Sequence, residues 1–125
     1  MKKAPEEAVL RWLTQNETTC FLSSITVGEI ERGIELLPSG RKQQHLQEAF
    51  REFLLVIEER VLGFDLEVAR CWAALTAASR RKGRTVPVLD SMIEATAFHW
   101  NLTVVTRNTP DFTQVRTLNP WSRGI

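Results

Sequence analysis

Cysteine and histidine are scarce in this sequence, two of each, and their positions exclude the commonest metal and redox frameworks. Cys20 and Cys71 form no Cys-x-x-Cys pair, and His45 and His99 have no HExxH-like spacing, so neither a zinc site nor a thiol redox motif is legible. That cysteine usage points to a reduced, cytoplasmic setting. No apolar run approaches the length of a signal core or a membrane span, and the opening Met1-Lys2-Lys3-Ala4-Pro5-Glu6-Glu7 is basic for two residues and then acidic. Secretion and membrane insertion are therefore not expected. A dominant charge is missing too. Lys plus Arg number 16 against 15 Asp plus Glu, so any polyanion must be met by a local patch rather than by the whole surface. Internal repeats, low-complexity tracts and linkers are absent.

What is present is enough for one hydrophobic core. A chain of 125 residues, 43% of them hydrophobic, is too short for two independently folding units, which predicts a single domain over 1–125. Short β-type runs alternate with longer amphipathic ones, the pattern of a parallel sheet covered by helices. Glu6 to Leu13 reads as a short helix and Cys20 to Ile25 as a buried strand turning through Thr26-Val27-Gly28-Glu29 into a second helix. There Ile30, Ile34 and Leu37 recur at i, i+4, i+7, and Pro38-Ser39-Gly40 breaks the run.

The clearest helix runs from Lys42 to Glu59, with Leu46, Ala49, Phe50, Phe53, Leu54 and Ile57 in one stripe of period 3.6. Val61 to Phe64 is the next strand. Asp65 is an N-cap for a helix with Ala69, Trp72, Ala73 and Thr76 on one face, which Gly83 ends. A further helix places Ile93, Ala97 and Trp100 on one side and stops at Asn101. Leu102 to Thr106 and Val115 to Leu118 are strands, joined through a polar loop from Arg107 to Phe112. The total is four strands and about five helices, opening on a helix where such folds usually open on a strand.

In open α/β sheets ligands gather beyond the carboxyl ends of the strands, which singles out Glu29, Asp90 and Asp111. Carboxylates that converge repel one another unless a hard divalent cation sits among them, and magnesium or manganese is the natural occupant. Such an ion supports phosphodiester hydrolysis without a Ser, His or Cys nucleophile.

Each acid also has a structural reading. Thr26-x-x-Glu29 and Ser91-x-x-Glu94 both have the form of capping boxes, and Asp111 after Thr109-Pro110 suits an Asx-turn. The basic run Arg80, Arg81, Lys82, Arg84 reads as a solvated helix end or as a phosphate track, with Arg41-Lys42 a weaker candidate. Trp12, Trp72 and Trp100 fall at helical core positions, Trp121 in the tail suits an exposed or interface aromatic, and His99 reads as surface.

The stretches FLSSITVGEIERGIELLPSGR, VLGFD, VPVLDSMIEATAFHWNLTVVTRNTPDF and the closing NPW together resemble the VapC branch of the PIN-domain family, toxins of bacterial toxin–antitoxin pairs. The likeness spans nearly the whole chain. Its specificity lies in the order of a glutamate in the S-x-I-T-x-x-E turn, an aspartate opening D-x-x-I-x-A-x-A, and T-R-N-x-x-D-F after the next strand.

What the resemblance implies is an α/β, PIN-like three-layer fold and a homodimeric, magnesium-dependent endoribonuclease restrained by a small VapB-type antitoxin. Glu29 and Asp90 take two of the family's acidic roles. The last acidic role falls on Asn108 or on Asp111, and the Thr106 hydroxyl would hold a water or ligand. Nothing before Glu6 resembles the family's usual opening strand, of the type L-L-D-T-N-x-x-S, which carries its first aspartate and its central strand. That departure predicts a sheet lacking its first, central strand. It leaves two functional readings: a nuclease whose true start lies upstream, or an inactive, truncated module that only dimerises or binds the antitoxin. Without the resemblance, the residues alone would also suit an ordinary α/β domain whose acids are caps and turns.

Overall fold

A computed structural model describes residues 5–121, with side chains from Glu7 onward; the opening Met1–Ala4 lies outside the described residues. The elements follow in the order α1 (Pro5–Gln15), β1 (Leu22–Ser23), α2 (Ser24–Glu35), α3 (Arg41–Ile57), β2 (Val61–Leu62), α4 (Leu66–Arg81), α5 (Val88–Trp100), β3 (Val104–Val105) and β4 (Thr117–Leu118). Short 3-10 turns lie at Glu58–Arg60 and Thr109–Asp111. The expected four strands and five helices are all found among the described residues. No helix there is long and apolar enough to cross a membrane. The strands run parallel, in two pairs rather than one continuous sheet: β1 with β2, and β3 with β4. The chain falls into two compact units, residues 1–62 and 63–125.

In the first unit the predicted stripe of α3 is the core. Leu46, Phe50, Phe53 and Ile57 are buried, and they pack with Ile30 and Ile34 of α2, Leu10 and Leu13 of α1, and Leu22 of β1. Burying a Phe or Ile side chain fully contributes roughly 1.5–3 kcal/mol, so this cluster carries the unit. Leu37 lies beyond the end of α2 yet still packs on the cluster. The exposed carbonyls at that helix end are met by Gln43, whose amide donates to Ile34 O, Glu35 O and Leu37 O at 3.0, 3.2 and 3.1 Å.

The start of α2 departs from expectation. Ser23, not Thr26, is the cap: its hydroxyl accepts from Ile25 N at 3.0 Å and Thr26 N at 3.2 Å, so the helix opens at Ser24 and the Thr26–Glu29 capping box does not form. A serine three residues upstream offers the same acceptor sooner, and the strand expected over Cys20–Ile25 shrinks to two residues. Just before it, Cys20 O accepts from Arg60 Nε at 3.0 Å.

In the second unit Asp65 caps α4 as expected, accepting from Val68 N at 3.0 Å. Gly83 closes it at φ +77°, in the left-handed region that glycine adopts without strain. Asn101 closes α5 at φ 57°, with Leu102 N donating to Ala97 O at 2.8 Å. Two expected faces are corrected. On α4 the buried residue is Val68, while Ala73 is exposed. On α5 Trp100 is 51% exposed, and the buried residues are Ser91, Glu94, Ala95, Thr96 and Ala97. The second expected capping box is absent as well, because α5 opens at Val88, after Pro87, three residues before Ser91. Ser91 sits inside the helix instead, donating to Val88 O at 2.6 Å and accepting from Trp72 Nε1 of α4 at 2.8 Å. His99 is exposed, as expected.

Candidate active site

Asp90 lies in the first turn of α5, and Asp111 ends the 3-10 turn that follows β3. The start of one helix and a short turned loop thus bring two carboxyl groups near enough for the charge of Asp111 to act on Asp90. Asp90 is held above the ordinary aspartate pKa, first by burial and then by the neighbouring Asp111 carboxyl. Like charges brought this close favour a cation between them.

The loop bearing Asp111 is held by its own residues. The Thr106 hydroxyl, at the end of β3, accepts from Asn108 N at 3.0 Å, and Asn108 O accepts from Asp111 N at 3.0 Å. Asn108 is exposed, and the carboxyl that meets Asp90 is that of Asp111. The Asx-turn reading of Asp111 is replaced by this arrangement, in which Thr106 supplies the turn's side-chain bond. Glu29 stands on the exposed side of α2, in the second turn, within the first unit.

One residue of the site region escaped the sequence. Glu94, one helical turn after Asp90, is only 6% exposed, and its Oε2 accepts from Gln114 N at 2.7 Å. Burial raises its pKa, while backbone N–H groups of Gln114 and Thr113, and then the Arg84 charge, pull the other way. It ties the segment after Asp111 to the helix that carries Asp90. The available signal was a single glutamate inside the apolar run Met92-Ile93-Glu94-Ala95, masked by the apparent capping box.

The donor set of Asp90 and Asp111 is hard oxygen, which fits magnesium or manganese and not a soft metal. Among the described residues no group of three or more His, Cys, Asp or Glu side chains is arranged to hold a metal ion. Cys20 and Cys71 are free thiols raised above their ordinary pKa by burial, which disfavours the reactive thiolate. Trp121 is half-buried, with the Arg107 guanidinium 5.0 Å from its ring centre.

The comparisons with known proteins agree with this architecture. A family model described as PIN domain matches residues 2–118. The chain is 38% identical over 124 residues to the plasmid stability protein StbB of Pseudomonas syringae pv. tomato, covering 96% of this chain and 89% of that one. It is 36% identical over 124 residues to a VapC ribonuclease of Sinorhizobium fredii, with the same 96% and 89% covered. It is 34% identical over 125 residues to the toxin FitB of Neisseria gonorrhoeae, covering 97% and 90%. The crystal structure of FitAcB from Neisseria gonorrhoeae matches with a TM-score of 0.79 at 34% identity, over 96% of this chain and 89% of that chain. With the parallel β-pairs, the helices packed on them and the nearness of Asp90 to Asp111, a match of that extent places this chain in the PIN-domain family.

Proposed function

We propose that the chain is the toxin of a VapBC-type toxin–antitoxin pair, an endoribonuclease that hydrolyses RNA phosphodiesters with a magnesium ion, or manganese, held by its carboxylates. The observation that carries this reading is the meeting of Asp90 and Asp111, two carboxyls whose mutual repulsion a hard divalent cation relieves. Asp90 and Asp111 would hold the ion, and Glu29 enters the proposal only through the motif order it shares with the family. Asn108 would contribute its side-chain oxygen directly or through water. When bound, the ion supplies a water of lowered pKa and neutralises charge on the phosphodiester.

The protein's own residues do the positioning. Thr106 fixes the turn that aims Asp111, Glu94 clamps the segment after it, and the first turn of α5 holds Asp90. The FitAcB match and the identity to a VapC ribonuclease support a cognate VapB-type antitoxin as partner. A second copy of the chain, as homodimer, and a cytoplasmic location complete the proposal.

RNA cleavage with magnesium and with EDTA, comparing the wild-type chain with Asp90→Asn, tests it. Magnesium-dependent cleavage lost in the variant is the expected result; equal cleavage by both proteins removes the metal-site reading. A second reading has an observation of its own. Only two carboxylates meet in the second unit, and no larger acidic group forms among the described residues. That donor set suits a chain that binds the antitoxin or its own copy without cutting RNA. In the same assay it predicts no cleavage by either protein.

A further inference from the structure

The last turn of α4 and the turn after it place four cations within five residues: Arg80, Arg81, Lys82 and Arg84. All four are exposed, and the ion pair found among the described residues lies elsewhere, between Lys42 and Glu7. Complementing the helix dipole accounts for part of this run, since that effect fades beyond the last turn. It accounts for Arg80 and Arg81. It does not account for Arg84, which stands past the helix, on the far side of the left-handed Gly83.

The position of this basic turn is set by hydrogen bonds. Gly83 N donates to Arg80 O and Arg84 N to Ser79 O, each at 2.9 Å, so the turn is folded back on the helix end. The Ser79 hydroxyl accepts a long bond, 3.4 Å, from the Gln114 side chain. The backbone N–H of that same Gln114 is held by Glu94 at 2.7 Å. Gln114 follows Asp111 by three residues, and Glu94 follows Asp90 by one helical turn. A single residue, Gln114, therefore joins the basic end of α4, through its side chain, to the helix that carries Asp90, through its backbone N–H, all within the second unit.

We propose that Arg80, Arg81, Lys82 and Arg84 form a phosphate-binding track for single-stranded RNA, gripping the backbone to one side of the bond presented to Asp90 and Asp111. The track rests on the nuclease reading and adds to it how the substrate is held. Each phosphate neutralised on a single strand contributes about 0.7 to the slope of log affinity against log salt, so four contacts amount to about 2.8.

The test is fluorescence anisotropy of a short single-stranded RNA with the full chain in EDTA, where binding is read without cleavage. The variant Arg80→Ala/Arg81→Ala/Lys82→Ala/Arg84→Ala is expected to bind at least about tenfold more weakly at low salt, with the slope reduced by about 2–3. Arg84 lies close enough to Glu94 for its charge to be felt there, so Arg81→Gln/Lys82→Gln, at two exposed positions, provides a milder check with a slope reduced by about 1–1.5. The control Arg41→Gln/Lys42→Gln in the first unit is expected to keep its affinity within about twofold. Unchanged affinity and slope in both α4 variants, or an equal loss in the control, overturns the track. Cleavage by the wild-type chain in magnesium tests the nuclease reading separately, so failure of one is distinguishable from failure of the other.

Discussion

Between residues 1 and 62 the interior is built from Leu, Ile and Phe of three helices and a strand, and no polar side chain is buried there among the described residues. Between 63 and 125 the apolar cluster shrinks to Ala97, Val104 and Phe112 with a few half-buried neighbours, while Ser91, Glu94 and Thr96 are buried beside it. The difference teaches where each kind of work is done. Apolar packing is non-directional and proportional to area, so it stabilises without placing any one atom. Buried polar groups must be hydrogen-bonded, and those bonds have direction. The half of the chain that brings two aspartates together is the half that buries polar side chains among its apolar ones.

The comparison is broken most severely in the apolar half. Phe50→Ala, at a side chain 2% exposed, is expected to lose about 3–5 kcal/mol of stability, read from urea unfolding. A loss under 1 kcal/mol would show that the α3 stripe does not carry the first unit.

The next effect belongs to the polar half. Magnesium at about a hundred times its dissociation constant is expected to stabilise the chain by about 2.7 kcal/mol in thermal melts. Asp90→Asn should show none of this, and an identical rise in the variant would place the ion elsewhere.

Glu94→Ala comes third, costing about 1–3 kcal/mol because Gln114 N is left without its partner. Glu94→Gln keeps an acceptor and is expected to recover most of that loss. If both substitutions behave alike, the clamp is not what Glu94 provides.

The smallest effect sharpens the comparison through pH. Asp90 and Glu94 both have folded pKa values raised, chiefly by burial. In EDTA the folded chain therefore holds more protons than the unfolded chain above the ordinary carboxylate range of about 4. The resulting stability is fully present below that range and is lost as pH rises through the raised values. Melting temperatures are expected to fall across this window, and less steeply in Asp90→Asn. A flat wild-type profile would contradict the buried, paired state of these acids.

Much of the scaffold is legible in the chain because its determinants are local. The α3 stripe, the Asp65 cap, and the stops at Gly83 and Asn101 each depend on residues within one or two turns, and each stands where the pattern puts it. Local rules fail where two of them compete. Ser23 and Thr26 both offer a cap to the same helix, and no propensity chooses between them; the backbone took the earlier one. The same competition hid Glu94, which satisfies a capping pattern on paper and in the fold is buried against a loop twenty residues away.

The order of helices and strands, the apolar face of the first unit and the family likeness all follow from residues close along the chain, because periodicity, caps and motif order are properties of neighbours. What the fold added is that Asp111 comes near Asp90, that Glu94 holds the backbone of Gln114, and that the Gln114 side chain reaches Ser79 at the basic end of α4. Those are contacts between distant segments, and their distances are settled by packing and hydrogen-bond geometry that no local pattern encodes.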